Sequence, residues 1–131
     1  MYQKILIATD GSSPSARAAR LGLGLAKLSG AKVTAIYVVD VMRLSHIPGY
    51  AAVPGIKDSI LDLMIAEAEK ATREIEETAR ELDIPCERLV ARGDPADEIL
   101  KAAPGVDLLV LGSVGRSGLN KFLLGSVAEK V

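Results

Sequence analysis

The chain has 131 residues, enough for one domain, and 49% of them are hydrophobic against 25% charged, which suits a globular core. Aromatic residues make up only 3% and the net charge is −1, so neither a broad electrostatic footprint nor a stacking surface for nucleic acid is expected. The one cysteine, Cys86, excludes an intrachain disulfide and reads as a small buried apolar residue. The start, MYQKILIATD, holds too short an apolar run for a signal-peptide core or a bilayer span, so a cytoplasmic protein is expected.

Ile5 to Ala8 is a continuous apolar run, as in a strand of a parallel sheet buried on both faces. It ends in Thr9-Asp10-Gly11-Ser12-Ser13-Pro14. Ser13 is the predicted N-cap and Pro14 the first residue of a helix running to Ser29. Ala16, Ala19, Leu23 and Ala26 form its predicted buried face, and Gly30 its stop. Val33 to Val39 is β-branched and apolar and predicts a second strand. From Val41 to Gly55 the prolines and glycines predict a loop, with the only histidine, His46, read as a surface residue.

A long helix is predicted over Lys57 to Leu82, with Ile60, Met64, Ala68, Ala71, Ile75, Ala79 and Leu82 repeating every three or four residues. Its charges belong to a solvated face. Cys86 to Ala91 is the third strand. Asp94 and Pro95 repeat the cap-and-proline signal for a short helix, with Ala96, Ile99, Leu100 and Ala103 on its predicted buried stripe. Asp107 to Leu111 is the fourth strand.

Strands alternating with helices imply an α/β, three-layer, Rossmann-like parallel sheet with right-handed crossovers. In such sheets ligands sit beyond the carboxyl ends of the strands, where the strand order reverses. The first and fourth strands are expected to be neighbours, with Thr9–Asp10 and Gly112–Ser113 facing one crevice. The fourth strand passes into Gly112-x2-Gly115-x9-Gly125-Ser126, and a helix is expected to start at Gly125–Ser126. Strand, glycine-rich loop and helix start is a way to aim backbone N–H groups at phosphate. The Walker and Gly-x-Gly-x-x-Gly patterns do not fit.

That spacing resembles the nucleotide-binding signature of the universal stress protein family, and KILIATDGS and GDPADEIL resemble other segments of that family. The resemblance spans the chain as a single domain, residues 1–131. It implies a sheet of order 3-2-1-4, with the family's fifth strand missing from this chain, and a homodimer. It also implies ATP as the bound nucleotide, with Mg²⁺ or Mn²⁺ held mainly by the phosphates. Carried over by motif, Ala8, Thr9 and Asp10 would line the pocket, and Val38 would meet adenine. Gly112, Ser113 and Gly115 would follow the ribose and triphosphate, and Gly125, Ser126 and Val127 would hold the phosphates. Val114 stands where the family usually carries His or Arg, which predicts weaker or altered binding. Without a fifth strand, the outer edge of the fourth is expected to be unpaired and to invite self-association.

Three functions follow from the resemblance: an ATP-binding regulatory module in stress response, a true ATP hydrolase, or a nucleotide-free dimeric scaffold. The first, with at most slow hydrolysis, is the reading adopted. Asp10 is the only strong acid expected in the crevice, and capping the Gly11–Pro14 turn is its favoured role over catalysis. The stress signal and any protein partner are not legible. No nucleic acid or membrane partner is expected.

Overall fold

In the computed structural model, which describes residues 2–41, 46, 54–112 and 122–125, strands and helices alternate through most of the chain. The order is β1 (Lys4–Ala8), α1 (Ser13–Ser29), β2 (Lys32–Val39), α2 (Ile56–Glu81), β3 (Cys86–Arg92), α3 (Pro95–Ala102), β4 (Leu108–Gly112) and β5 (Phe122–Gly125). The sheet order is β3-β2-β1-β4-β5. The first four of these pair in parallel, with Ala8 opposite Ile36 on one side and Leu111 on the other. The expected 3-2-1-4 order and the β1–β4 neighbourhood are therefore present.

Alternation along the strands sorts the core into two faces. Ile5 and Ile7 of β1, Val33 and Ala35 of β2, and Leu108 and Val110 of β4 pack against Ala18, Ala19, Leu23 and Ala26 of α1 and Ile75 and Ala79 of α2. Leu6, Ala8 and Ile36 point the other way, with Val38, Leu109, Leu111 and, from α3, Ile99 and Ala102 packed on them. Every residue of Ile5–Ala8 is thus buried, which is why the run carries no polar alternation. A third cluster, Tyr37, Val39 and Ala68, continues the α2 face toward the ends of the strands.

The helix signals are mostly where the sequence puts them. Gly30 closes α1 in the left-handed region at φ 69°, and its N–H donates to the Ala26 carbonyl. The α1 cap is Ser12 rather than Ser13: its hydroxyl accepts from the Ser15 N–H, and Pro14 still falls in the first turn. The face buried by α1 runs Ser15, Ala18, Ala19, Gly22, Leu23, Ala26, so Ala18 takes the place predicted for Ala16, which is exposed. In α2 the stripe includes Thr72, whose buried hydroxyl donates to the Ala68 carbonyl at 2.9 Å. Asp94 caps α3 as predicted, accepting from the Asp97 N–H at 3.1 Å. Only one flank of that short helix packs: Ile99 is half-buried, whereas Ala96 and Leu100 are exposed.

At the opposite end of the sheet, Asp107 ties β4 to the start of β1. One carboxylate oxygen accepts from the backbone N–H groups of Gln3 at 2.7 Å and Lys4 at 2.9 Å. Those two hydrogen bonds, in that order, hold its carboxyl below the usual carboxylate range.

The outer edge of β4 differs from expectation. Phe122–Gly125 pairs with it antiparallel, with Phe122 opposite Gly112 and Gly125 opposite Leu109. The edge is not left open, and Gly125 is the last described residue of a strand; the helix start expected at Gly125–Ser126 otherwise lies outside the described residues. The physical reason is the one that made an open edge costly: a row of unpaired N–H and C=O groups binds any nearby extended apolar segment, and this chain supplies one.

Candidate functional site

The carboxyl ends of β1 and β4 lie side by side, and β1 is flanked by β2 on its other side. β2 is reached from β1 through α1 and β4 from β3 through α3, so the chain order reverses across β1 and β4. That is the geometry in which an open α/β sheet leaves a crevice. Ala8 is buried at the end of β1. The Thr9 N–H donates to the Ile36 carbonyl at 2.9 Å, which carries the ladder one residue past β1. Val38 stands two residues beyond Ile36 on the same face as Ala8, half-buried. Ala8, Thr9, Asp10, Val38 and Gly112 are therefore brought together at one end of three adjacent strands.

The turn after β1 is built by its own polar side chains. The Thr9 hydroxyl accepts from the Gly11 N–H at 3.1 Å. Asp10 Oδ1 accepts from the Ser12 N–H at 2.9 Å and from the Ser15 hydroxyl at 2.6 Å. Asp10 thus caps the turn, as expected, at the N-terminus of α1, where a negative charge is favoured. Gly11 takes φ 81°, a conformation that suits a residue without Cβ.

Sequence reasoning missed two residues here. Ser15 is fully buried, and its Oγ joins three segments. It accepts from the Asp10 N–H at 3.2 Å and from Ser12 Oγ at 3.3 Å, and it donates toward both Asp10 Oδ1 and the Gly112 carbonyl. A serine inside an alanine-rich helix gives no pattern signal. Its position five residues after Asp10, one turn into a capped helix, is the only clue in the sequence. Glu67 is the second. Its Oε1 lies 3.1 Å from where a Cβ on Gly11 would sit, so α2 sends a carboxylate to the β1 turn from far along the chain. Asp10 is accordingly not the only acid at this end of the sheet.

Gly112 has a packing reason of its own. A Cβ there would lie 2.8 Å from the Pro14 carbonyl oxygen and 2.8 Å from the Ala18 Cβ. The first turn of α1 sits against the end of β4 so closely that only glycine fits. Of the other signature residues only Gly125 is among the described ones, and it is not gathered with Gly112. Gly125 pairs with Leu109, three positions back along β4 from Gly112, roughly 10 Å at the strand rise. Ser113, Gly115, Ser126 and Val127, together with Val114, Arg116 and Lys121, lie outside the described residues, as does most of the 41–55 loop.

Cys86 and His46 stand apart from this arrangement. Cys86 is half-buried at the start of β3, and burial first, then the Glu76 and Glu87 carboxylates, push its thiol up to about 11. It stays protonated near neutrality and is a poor nucleophile. His46 is exposed. Among the described residues no group of three His, Cys, Asp or Glu side chains could hold a metal ion, and no helix is long and apolar enough to cross a membrane.

Comparison with known proteins gives one family throughout. The family model described as the universal stress protein family matches residues 1–131. A universal stress protein of Methanocaldococcus jannaschii is 38% identical over 133 residues, covering 100% of this chain and 76% of that protein. A Bacillus subtilis universal stress protein is also 38% identical, over 136 residues, covering 100% of this chain and 92% of that protein. A solved universal stress protein of Lactobacillus plantarum superposes with TM-score 0.76 at 26% identity, over 98% of this chain and 88% of its own. Two more distant structures share the fold. One universal stress protein holds cAMP (TM-score 0.60, 24% identity, 90% of this chain and 78% of its own). One from Arabidopsis thaliana holds AMP (TM-score 0.65, 20% identity, 89% of this chain and 80% of its own).

Proposed function

Because this chain belongs to the universal stress protein family, we propose that it is an adenine-nucleotide-binding regulatory module, with ATP as its ligand. The observation that supports this most is the meeting of Thr9, Asp10 and Gly112 at the adjoining carboxyl ends of β1 and β4, directly before Gly112-x2-Gly115-x9-Gly125-Ser126. Relatives of the same fold hold cAMP and AMP, which makes an adenine nucleotide the class to test first.

In this reading Ala8, Thr9, Asp10 and Val38 take the nucleoside end. Gly112, Ser113 and Gly115 follow the ribose and phosphates, and Gly125, Ser126 and Val127 close on the phosphates. Gly125 reaches that end only by leaving its pairing with Leu109, so nucleotide binding and β5 compete for the same segment. Mg²⁺ or Mn²⁺ arrives with the phosphates, which supply most of its ligands. A domain spanning residues 1–131 that self-associates in the cytoplasm completes the proposal.

Rapid hydrolysis is not part of it. Phosphoryl transfer needs a residue that places the attacking water. Asp10 is already committed to the Ser12 N–H and the Ser15 hydroxyl. A nucleotide-free scaffold is the second reading, favoured by one fact: Gly112 is required by α1 whether or not a ligand binds.

Calorimetric titration with ATP, with and without Mg²⁺, decides between the two. Gly115→Val is expected to weaken ATP binding by at least tenfold, about 1.4 kcal/mol. Undiminished affinity in that variant removes the phosphates from the glycine loop. Phosphate release followed over hours is expected to remain near background.

A further inference from the structure

We propose that Ser15 is a positioning residue that reports a ligand at Asp10 to the glycine loop through its single hydroxyl proton. The proposal rests on the nucleotide reading above. A serine hydroxyl has one proton and two lone pairs. Both lone pairs are taken: the Asp10 N–H lies at 3.2 Å and the Ser12 hydroxyl at 3.3 Å. The one proton then has two acceptors, Asp10 Oδ1 at 2.6 Å and the Gly112 carbonyl. Ser15 is fully buried, so water does not settle the competition.

The two acceptors are unequal. A carboxylate is the stronger, so it holds the larger share of the proton while no ligand competes for it. A nucleotide hydroxyl donating to Asp10, or a phosphate-bound cation drawn to it, weakens that acceptor. The proton then turns to Gly112, the last residue of β4 and the first of the signature. The carbonyl where the glycine loop departs becomes fixed against the first turn of α1. Occupancy at one end of the crevice is thereby felt at the other without any side chain moving far.

By linkage, if a nucleotide tightens this network, the network in turn tightens nucleotide binding by the same factor. ATP should therefore slow hydrogen exchange at the amides of Asp10, Ser15 and Ala16, which close the β1 turn and the first turn of α1. The expected slowing is about tenfold, within the usual range of coupling between sites. Ser15→Ala is expected to raise the Kd for ATP by about tenfold, measured where the variant is fully folded, and to abolish the exchange response. A merely structural hydroxyl would not do this. Thr72→Val removes another buried hydroxyl, on α2, and is expected to lower Tm while leaving the Kd unchanged.

The experiment is isothermal titration with ATP plus amide exchange on the wild type, Ser15→Ala and Thr72→Val. Wild-type binding with unchanged exchange at those three amides overturns the inference, as does a Ser15→Ala Kd equal to wild type. Should Ser15→Ala not fold, the wild-type exchange measurement decides alone. Failure of the wild type to bind ATP sinks the nucleotide reading itself and takes this inference with it.

Discussion

Two turns in this chain are written in the same grammar and end up with different work. After β1 the chain reads Asp10-Gly-Ser-Ser-Pro, and after β3 it reads Gly93-Asp94-Pro95. Both place an oxygen-bearing cap and a proline at the start of a helix, and both caps accept from a backbone N–H three residues on. The β3 turn remains local: Asp94 is exposed and satisfies its own helix, and one backbone bond, Gly93 N–H to the Val39 carbonyl, fixes it to the sheet. The β1 turn is joined through Ser15 and Gly112 to a strand almost a hundred residues later. The difference lies in the sheet, not in the motif. β1 has a neighbour on each side, and the one toward β4 begins the glycine-rich stretch, whereas β3 is the outermost strand. A capping motif becomes part of a site when its strand stands where the order reverses.

The largest expected effect tests that junction directly. Gly112→Ala forces a methyl group against the Pro14 carbonyl and Ala18, both 2.8 Å away, and neither is a flexible side-chain tip. Overpacking of this kind costs about 1–3 kcal/mol, seen as a lower midpoint in urea. Gly24→Ala, on the exposed side of α1 with nothing within 4 Å, should instead gain about 0.5–1 kcal/mol. A Gly112→Ala protein as stable as wild type would mean that α1 does not press on the end of β4.

The two caps provide the next contrast. Ser12→Ala and Asp94→Ala should each cost about 1 kcal/mol as lost caps. Their coupling to Ser15→Ala should differ. Ser12 shares the Ser15 hydroxyl, so that pair is expected to depart from additivity by 0.5 kcal/mol or more in a double-mutant cycle, roughly the threshold for groups in one network. Asp94 shares nothing with Ser15 among its hydrogen bonds, and that pair should add. Additivity in both cycles would make the two turns energetically alike.

How far the sequence revealed this follows from where each signal resides. β1, β2 and β4 were legible because residues buried or half-buried on both faces leave largely apolar runs. The Asp94 cap and the Gly30 stop were legible because they depend on neighbours in sequence, the α1 cap was placed one residue late, and the order of the four parallel strands came with the family resemblance. The registration of α1 was not: with Ala16, Ala18 and Ala19 all present, the apolar pattern cannot say which alanine faces Ile7 and Val110. The two flanks of α3 were confused for a similar reason, since Leu100 is as apolar as Ile99 but has no partner layer. Ser15 and Glu67 were invisible because their roles are set by residues brought close only in the fold. The pairing of Phe122–Gly125 with β4 was missed because the glycine spacing around it argued for a loop and a helix start, while the demand of an open strand edge argued otherwise and prevailed.

The smallest effect lies at the far end of the same strand pair, where β1 and β4 are held by a charge rather than by a hydroxyl. The Asp107 carboxylate accepts from the Gln3 and Lys4 N–H groups, and its carboxyl titrates below its ordinary value. Its folded value is therefore the lower one, so the clamp contributes fully above the unfolded value and is lost as pH falls through the folded one. Asp107 is exposed and the surrounding water screens the gain, so the loss should be a modest decline in Tm between about pH 5 and pH 3. Asp107→Asn keeps an oxygen that can accept from both N–H groups but removes the charge. The variant should begin slightly less stable at pH 7 and lose less on acidification, so that the two Tm curves converge. Parallel curves across that window would show that the β1–β4 pair draws nothing from this carboxylate, and would leave the Ser15 end as the side-chain tie between the two strands, among the described residues, that stability measurements detect.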